Sequence, residues 1–144
     1  METLALNRAD LQILAEQRLL DAQALLDGGR WAFADYSAGY AIECTLKSCL
    51  LTQMIHTGWI FREKAKIEEC LTHDFWTLME MSGLGDRLNA DIKANTVLAQ
   101  NWKTVKRWKV GVRYELKTES DARNLHAAIT DHPDGVLAWI KNYW

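Results

Sequence analysis

WAFADYSAGYAIECTLKSCLLTQMIHT, residues 31–57, contains no proline, and its apolar side chains recur at helical rather than alternating spacing. Ala34, Ala38, Ala41, Thr45 and Ser48 follow one another at intervals of three and four and are small enough to let another backbone come close. Ile42, Leu46 and Cys49 form a neighbouring apolar strip. Tyr36, Tyr40, Glu43, Lys47, Leu50 and Met54 form a third. A helix with so little purely polar face is enclosed on most sides, so this stretch predicts a long central helix that stops at Gly58.

Upstream, Leu11, Leu14, Ala15, Arg18, Leu19, Ala22, Leu25 and Leu26 trace one face of a helix that Gly28-Gly29 ends. The link to Trp31 is short, which makes the first helix an antiparallel neighbour of the second. Downstream, residues 58–71 read as a short helix or an ordered loop. Thr72-His73-Asp74 opens a helix with Phe75, Trp76, Leu78 and Met79 inward and Gly83 as its stop. A further helix is expected from Asp86 to about Gln100, with Leu88, Ile92 and Ala99 inward, then a mostly irregular segment from Asn101 to Leu116. The last element starts at a capping box near Thr118–Asp121 and runs to Trp144, broken or kinked by Pro133 near residues 131–135. No internal repeat or linker interrupts this order. The expected architecture is one all-α domain over residues 1–144, an antiparallel four- to five-helix bundle built round a long second helix.

Composition narrows the function classes. With 17 Lys+Arg against 19 Asp+Glu, the net charge of −2 attracts nucleic acid nowhere globally, so any RNA contact has to be a local patch. The one basic stretch is Lys103, Lys106, Arg107, Lys109 and Arg113, interleaved with Trp102 and Trp108. Its plain reading is a solvated helix end; its functional reading is an anion or nucleic-acid edge, with cations for phosphates and aromatics for bases. Cys44, Cys49 and Cys70 form no CxxC pair and are expected as free thiols in a reducing compartment. The first residues, METLALNRADLQ, lack the pattern of a signal peptide, and Glu43, Lys47 and Gln53 interrupt the apolar runs. A cytoplasmic chain without a membrane span is the expectation.

Candidate chemistry is sparse. His126 and His132 are six apart and fit no zinc pattern, so no metal and no cofactor are expected. His56 falls at a helix end, where an imidazolium complements the carbonyl dipole. At His73-Asp74 the aspartate suits a helix N-terminus, and His73 is placed to hydrogen-bond across the bundle. Glu43 and Lys47 form an i, i+4 pair on a helix whose other positions look buried, which predicts a partly buried ion pair that buttresses the bundle. No phosphate loop, GxSxG elbow or paired Cys–His is present.

The run from Ala34 through Tyr40, Glu43, Leu46 and Lys47 to Ser48 resembles the signature helix of the HEPN family, the nucleotide-binding domains shared by higher eukaryotes and prokaryotes. That helix reads as an aromatic, small residues, then Ala-hydrophobic-Glu-x-x-Leu-Lys. AQALLDGGRW, residues 22–31, resembles the family's first helix and glycine turn. Thr72-His73-Asp74-Phe75 with Leu78, and Trp102 with Arg113-Tyr114-Glu115, are similar to further elements of one prokaryotic branch. The resemblance implies a helical bundle that forms homodimers, in toxin–antitoxin or phage-defence systems, often beside a small nucleotidyltransferase partner. It implies a ligand surface for a nucleotide or RNA at Tyr40, Glu43, Lys47, His73, Asp74, Trp102, Arg113 and Tyr114. The family's ribonucleases carry Arg, four to six residues, then His. Here two residues separate Arg123 from His126 and eight separate it from His132, so the expected role is a non-catalytic binding module. The alternatives are a divergent metal-independent ribonuclease toxin using His73, Arg113 or His126, and a structural dimerisation subunit of a nucleotidyltransferase complex.

Overall fold

The computed structural model describes residues 7–57 and 70–144, excepting the side chains of residues 55–57. Of the expected helix or loop over residues 58–71, residues 58–69 lie outside the described residues, as does the side chain of His56. Among the described residues there are seven α-helices, one 3-10 turn and no strand. The chain is all-α and organised round its long second helix, as the sequence predicts.

Helix α1, Arg8–Asp27, begins at a reciprocal cap in which the Asn7 side chain accepts from the Asp10 amide and Asp10 accepts from the Asn7 amide. It ends where Gly29 takes φ 71° and the Arg30 N–H returns to the Leu25 carbonyl at 2.8 Å. Helix α2, Trp31–Thr57, then runs back along α1. The antiparallel pairing is visible at both ends: Leu26 packs on Ala34, and Arg8 donates to the Thr52 hydroxyl at 3.2 Å. The small-residue stripe of α2 is fully enclosed, with Ala38, Ala41, Thr45 and Ser48 all at 0 % exposure. Thr45 returns its hydroxyl to the Ala41 carbonyl at 2.7 Å, which lets a polar side chain sit in the core without an unmet donor.

The short α3, Phe75–Met81, is capped by Asp74 and stopped by Ser82 and Gly83. Phe75, Leu78 and Met79 are buried and Trp76 is half-buried. Two expectations are corrected beyond it. The helix predicted from Asp86 to about Gln100 is two helices, α4 over Gly85–Ala94 and α5 over Thr96–Val105. The break is Asn95, extended at φ −132°, whose side chain accepts from the Val97 and Leu98 amides and donates to Asp134 at 2.8 Å. A side chain that satisfies two free amides starts a new helix more favourably than it continues an old one. Leu98, rather than Ala99, is the buried residue of that turn. The segment from Asn101 onward is also less irregular than predicted. Leu98, Trp102 and Val105 keep one buried face through to the end of α5, and Val110–Tyr114 form the 3-10 turn.

Helix α6, Glu119–Thr130, carries the predicted capping box, Thr118 with Asp121. The Pro133 region ends it, and α7, Val136–Lys141, follows as a separate element. Asn101 donates to the Asp134 carbonyl at 2.9 Å and so ties this turn to α5. The helical bundle stands as expected; among the described residues it has seven α-helices, because Asn95 and the 131–135 turn each divide a predicted element. None of the described helices is long and apolar enough to cross a membrane.

Candidate functional site

Where α2 meets the start of α3, the structure assembles four of the sequence-predicted residues. Glu43 is 2 % exposed on the central helix, an expensive position for a carboxylate unless it is paired. Its Oε1 lies 2.6 Å from His73 Nδ1 and its Oε2 lies 3.5 Å from Lys47 Nζ. A carboxylate can only accept, so Nδ1 is the donor and the imidazole is oriented by a buried anchor. The adjacent Asp74 accepts from the Thr77 amide and hydroxyl through Oδ2 and from Lys109 Nζ, at 2.8 Å, through Oδ1. The Lys109 ammonium, and then the Thr77 amide, hold the Asp74 carboxyl below its ordinary range. The side chains of Lys47 and His73 remain 23 % and 45 % exposed, so this cluster reaches the surface through the two partners of Glu43.

Tyr40 is on the same helix, three residues before Glu43. It lies beside Tyr36, ring centroids 5.9 Å apart, along a groove between α1 and α2 that Phe33 and Arg18 also line. Burial, more than the neighbouring Cys44 and Glu43, raises its phenol above the ordinary range.

The basic stretch divides sharply. Trp102 and Trp108 are buried, while Lys103, Lys106, Arg107, Lys109 and Arg113 are exposed. The tryptophans interleaved with the cations therefore belong to the core. Trp108 stacks on Phe75 with centroids 5.1 Å apart and planes 3° from parallel, and Tyr36 lies 6.0 Å away. The indole rests directly on the α2 backbone at Gly39, where an added Cβ would lie 2.2 Å from its Cε2 and Nε1. The exposed aromatic is instead Tyr114, 82 % accessible, with the Arg113 guanidinium 5.0 Å above its ring.

Behind this edge lies a cleft of about 830 Å³ between α2, α5 and α6, with Asp35 on one wall and Thr104 and Leu125 on others. Asp35 is 5 % exposed, and no hydrogen bond reaches its carboxylate among the described residues. Desolvation is the main cause that pushes its carboxyl up to about 6; Lys117 opposes the shift, and Asp121 and Glu115 add to it. The folded chain therefore keeps this proton between about pH 4 and 6, where the unfolded chain has released it, so Asp35 weakens the fold as pH rises through that window. Sequence reading gave Asp35 no role. The signal was present: Asp35, Ala38, Ile42 and Cys49 share one helical face, and Asp35 is its only acid.

The remaining candidates stand apart. Arg123 pairs with Glu119 at 2.9 Å and lies over the Trp31 ring, while His126, one turn further on, is partly buried. Burial, followed by the charge of Arg123, lowers the His126 pKa. No hydrogen bond, ion pair or ring contact joins Arg113, His73 and His126 among the described residues. Cys44 and Cys49 are free and buried, their thiols pushed by desolvation up to about 11 and about 12, which keeps them from acting as nucleophiles at neutral pH. Among the described residues, no three His, Cys, Asp or Glu side chains gather as a metal site. No known protein family, curated protein or solved structure matches this chain.

Proposed function

We propose that this chain is a HEPN-like, non-catalytic binding module that contacts RNA or a nucleotide along residues 103–114. The observation that carries the reading is the separation of that stretch into buried tryptophans and exposed cations, ending at an exposed tyrosine. Cations on one side of a chain hold phosphates, and an uncovered aromatic ring accepts a base by stacking. The signature residues of α2 support the same reading from the other side, because Glu43 bonds to both Lys47 and His73 and so forms an anchor for the start of α3. In this proposal the module is a homodimer within a toxin–antitoxin or defence-type system, beside a nucleotidyltransferase.

Fluorescence anisotropy with a labelled single-stranded RNA tests it. Binding is expected at low salt, and each of Arg107→Ala and Arg113→Ala is expected to reduce the dependence of log K on log salt by about 0.7. Tyr114→Ala is expected to weaken binding about tenfold with the salt slope unchanged, because stacking is worth about 1–3 kcal/mol per base. No binding to RNA or to mononucleotides at low salt overturns the proposal.

A divergent ribonuclease is a second reading, and the 2.6 Å bond from His73 to Glu43 favours it over other catalytic alternatives. An imidazole held by a buried carboxylate is oriented as an acid–base group has to be. On this reading, expression of the chain arrests growth and His73→Ala relieves the arrest. Arrest that persists undiminished in a folded His73→Ala variant removes His73 from any catalytic role.

A further inference from the structure

We propose that the cleft between α2, α5 and α6 is a binding site for a small organic cation whose N–H groups dock on Asp35. This site adjoins the RNA edge proposed above and shares Arg107 and Lys109 with it, but it is carried by Asp35 and does not depend on that reading.

Most of the charged groups in the cleft are already engaged with partners. Four carboxylates line it, Asp35, Glu115, Asp121 and Asp131, against three cations, Arg107, Lys109 and Lys117. Lys117 is bonded to Glu115 at 3.0 Å and Lys109 to Asp74 at 2.8 Å. Asp121 closes the cap of α6, and Asp131 accepts from Asn101 at 3.2 Å. Arg107 is exposed. Asp35 is left as the carboxylate without a hydrogen-bond donor, although it is the most deeply buried of the four. A buried polar side chain ordinarily has a partner, and an ionised one strongly so.

Three features select the chemistry of that partner. The vacant group is an acceptor with room for two N–H donors, so the ligand is a donor. Four carboxylates against three cations line the cleft, and Asp121 and Glu115 both raise the Asp35 carboxyl, so the donor is positively charged. Leu125, Ala128 and Val112 supply apolar lining, so the charge is carried on a carbon frame rather than being a bare metal ion. A guanidinium or an alkylammonium group has these properties. An ionised phosphate does not, since it brings no donor to Asp35 and is repelled by that carboxylate.

Calorimetry on the intact chain with methylguanidinium, methylammonium and tetramethylammonium separates the possibilities. Saturable binding of either N–H-bearing cation, with tetramethylammonium at least about tenfold weaker, is expected, because all three carry the charge but the last has no donor. The stronger of the first two identifies the head group. Binding is expected to be flat above about pH 7 and to fall about tenfold per pH unit below 6, as the carboxyl whose value lies at about 6 takes up its proton. Asp35→Asn is expected to abolish binding while RNA binding persists, which keeps the two proposals separable. If that variant does not fold, following the Asp35 carboxyl by carbon NMR in the native chain serves instead: its titration midpoint moves down when the cation is present. Equal binding of tetramethylammonium, unchanged binding in folded Asp35→Asn, or an Asp35 midpoint that the cations leave unmoved each overturns the proposal.

Discussion

Gly39→Ala is expected to destabilise the protein by about 2–4 kcal/mol, although alanine is ordinarily the better helix former by about 1 kcal/mol. The new Cβ would lie 2.2 Å from Trp108 Cε2 and Nε1, well inside any tolerable contact. The helix cannot retreat, because α1, α6 and α7 pack on its other faces. The indole cannot slide, because Phe75 stacks on it at 5.1 Å and the ring is only 3 % exposed. Relief comes by expelling the indole, and loss of a buried tryptophan costs about 3–5 kcal/mol, which sets the upper bound. Urea denaturation measures the change directly. The double variant Gly39→Ala with Trp108→Leu is expected to lose less than the sum of the two single changes, since the smaller side chain makes room for the methyl group. A neutral or stabilising Gly39→Ala means that the indole does not rest on that backbone.

Glu43 carries the second large effect. Replacing it with alanine is expected to cost about 3 kcal/mol, at the low end of the range for breaking a buried ion pair. The low end applies because both partners, Lys47 and His73, reach solvent and can be rehydrated when the carboxylate goes. Glu43→Gln keeps the volume and an acceptor for His73, so about half of that loss is expected. A double-mutant cycle between Glu43→Ala and His73→Ala is expected to give a coupling of about 1–3 kcal/mol, the signature of a direct bond rather than of two independent contributions. A coupling near zero would show that the two side chains stabilise the fold separately.

These two cases show how unevenly the sequence displays its structure. The enclosure of α2 was legible because Ala34, Ala38, Ala41 and Thr45 obey a local period, and periods are properties of short windows. The bond from Glu43 to His73 spans thirty positions, yet it too was partly foreseeable, since a carboxylate on an enclosed helix must find a partner and His73 stands at the start of a neighbouring one. The Asn95 break was missed because Leu88, Ile92 and Ala99 give an acceptable helical face across it. Cap formation depended instead on the Asn95 carbonyl oxygen finding two amides. Trp102 and Trp108 were ambiguous for a different reason: an aromatic among lysines reads alike whether its ring faces a ligand or the core. Asp35 was hidden for the most physical reason of all. The period of α2 marks it as the one acid on an apolar face, but the lack of a donor among the described residues depends on side chains of residues 104–125, far along the chain.

The nearly complete enclosure of α2 has a consequence for the order in which the chain acquires its shape. Its apolar stripes emerge from the ribosome well before most of the residues that cover them, and only α1 is already present to pair with it. The α1–α2 hairpin shelters the face holding Ala34 and Ala38, through contacts that are close in sequence. The seat at Gly39 stays uncovered until Trp108 has been made, and the faces that pack on α6 and α7 stay open until those helices follow. A nascent chain halted near residue 100 thus displays a helix that is only partly covered, the kind of surface that chaperones grasp and that seeds aggregation. Timing, as much as packing, falls on the segment from Val105 to Val112: until it is made, the seat at Gly39 stays empty.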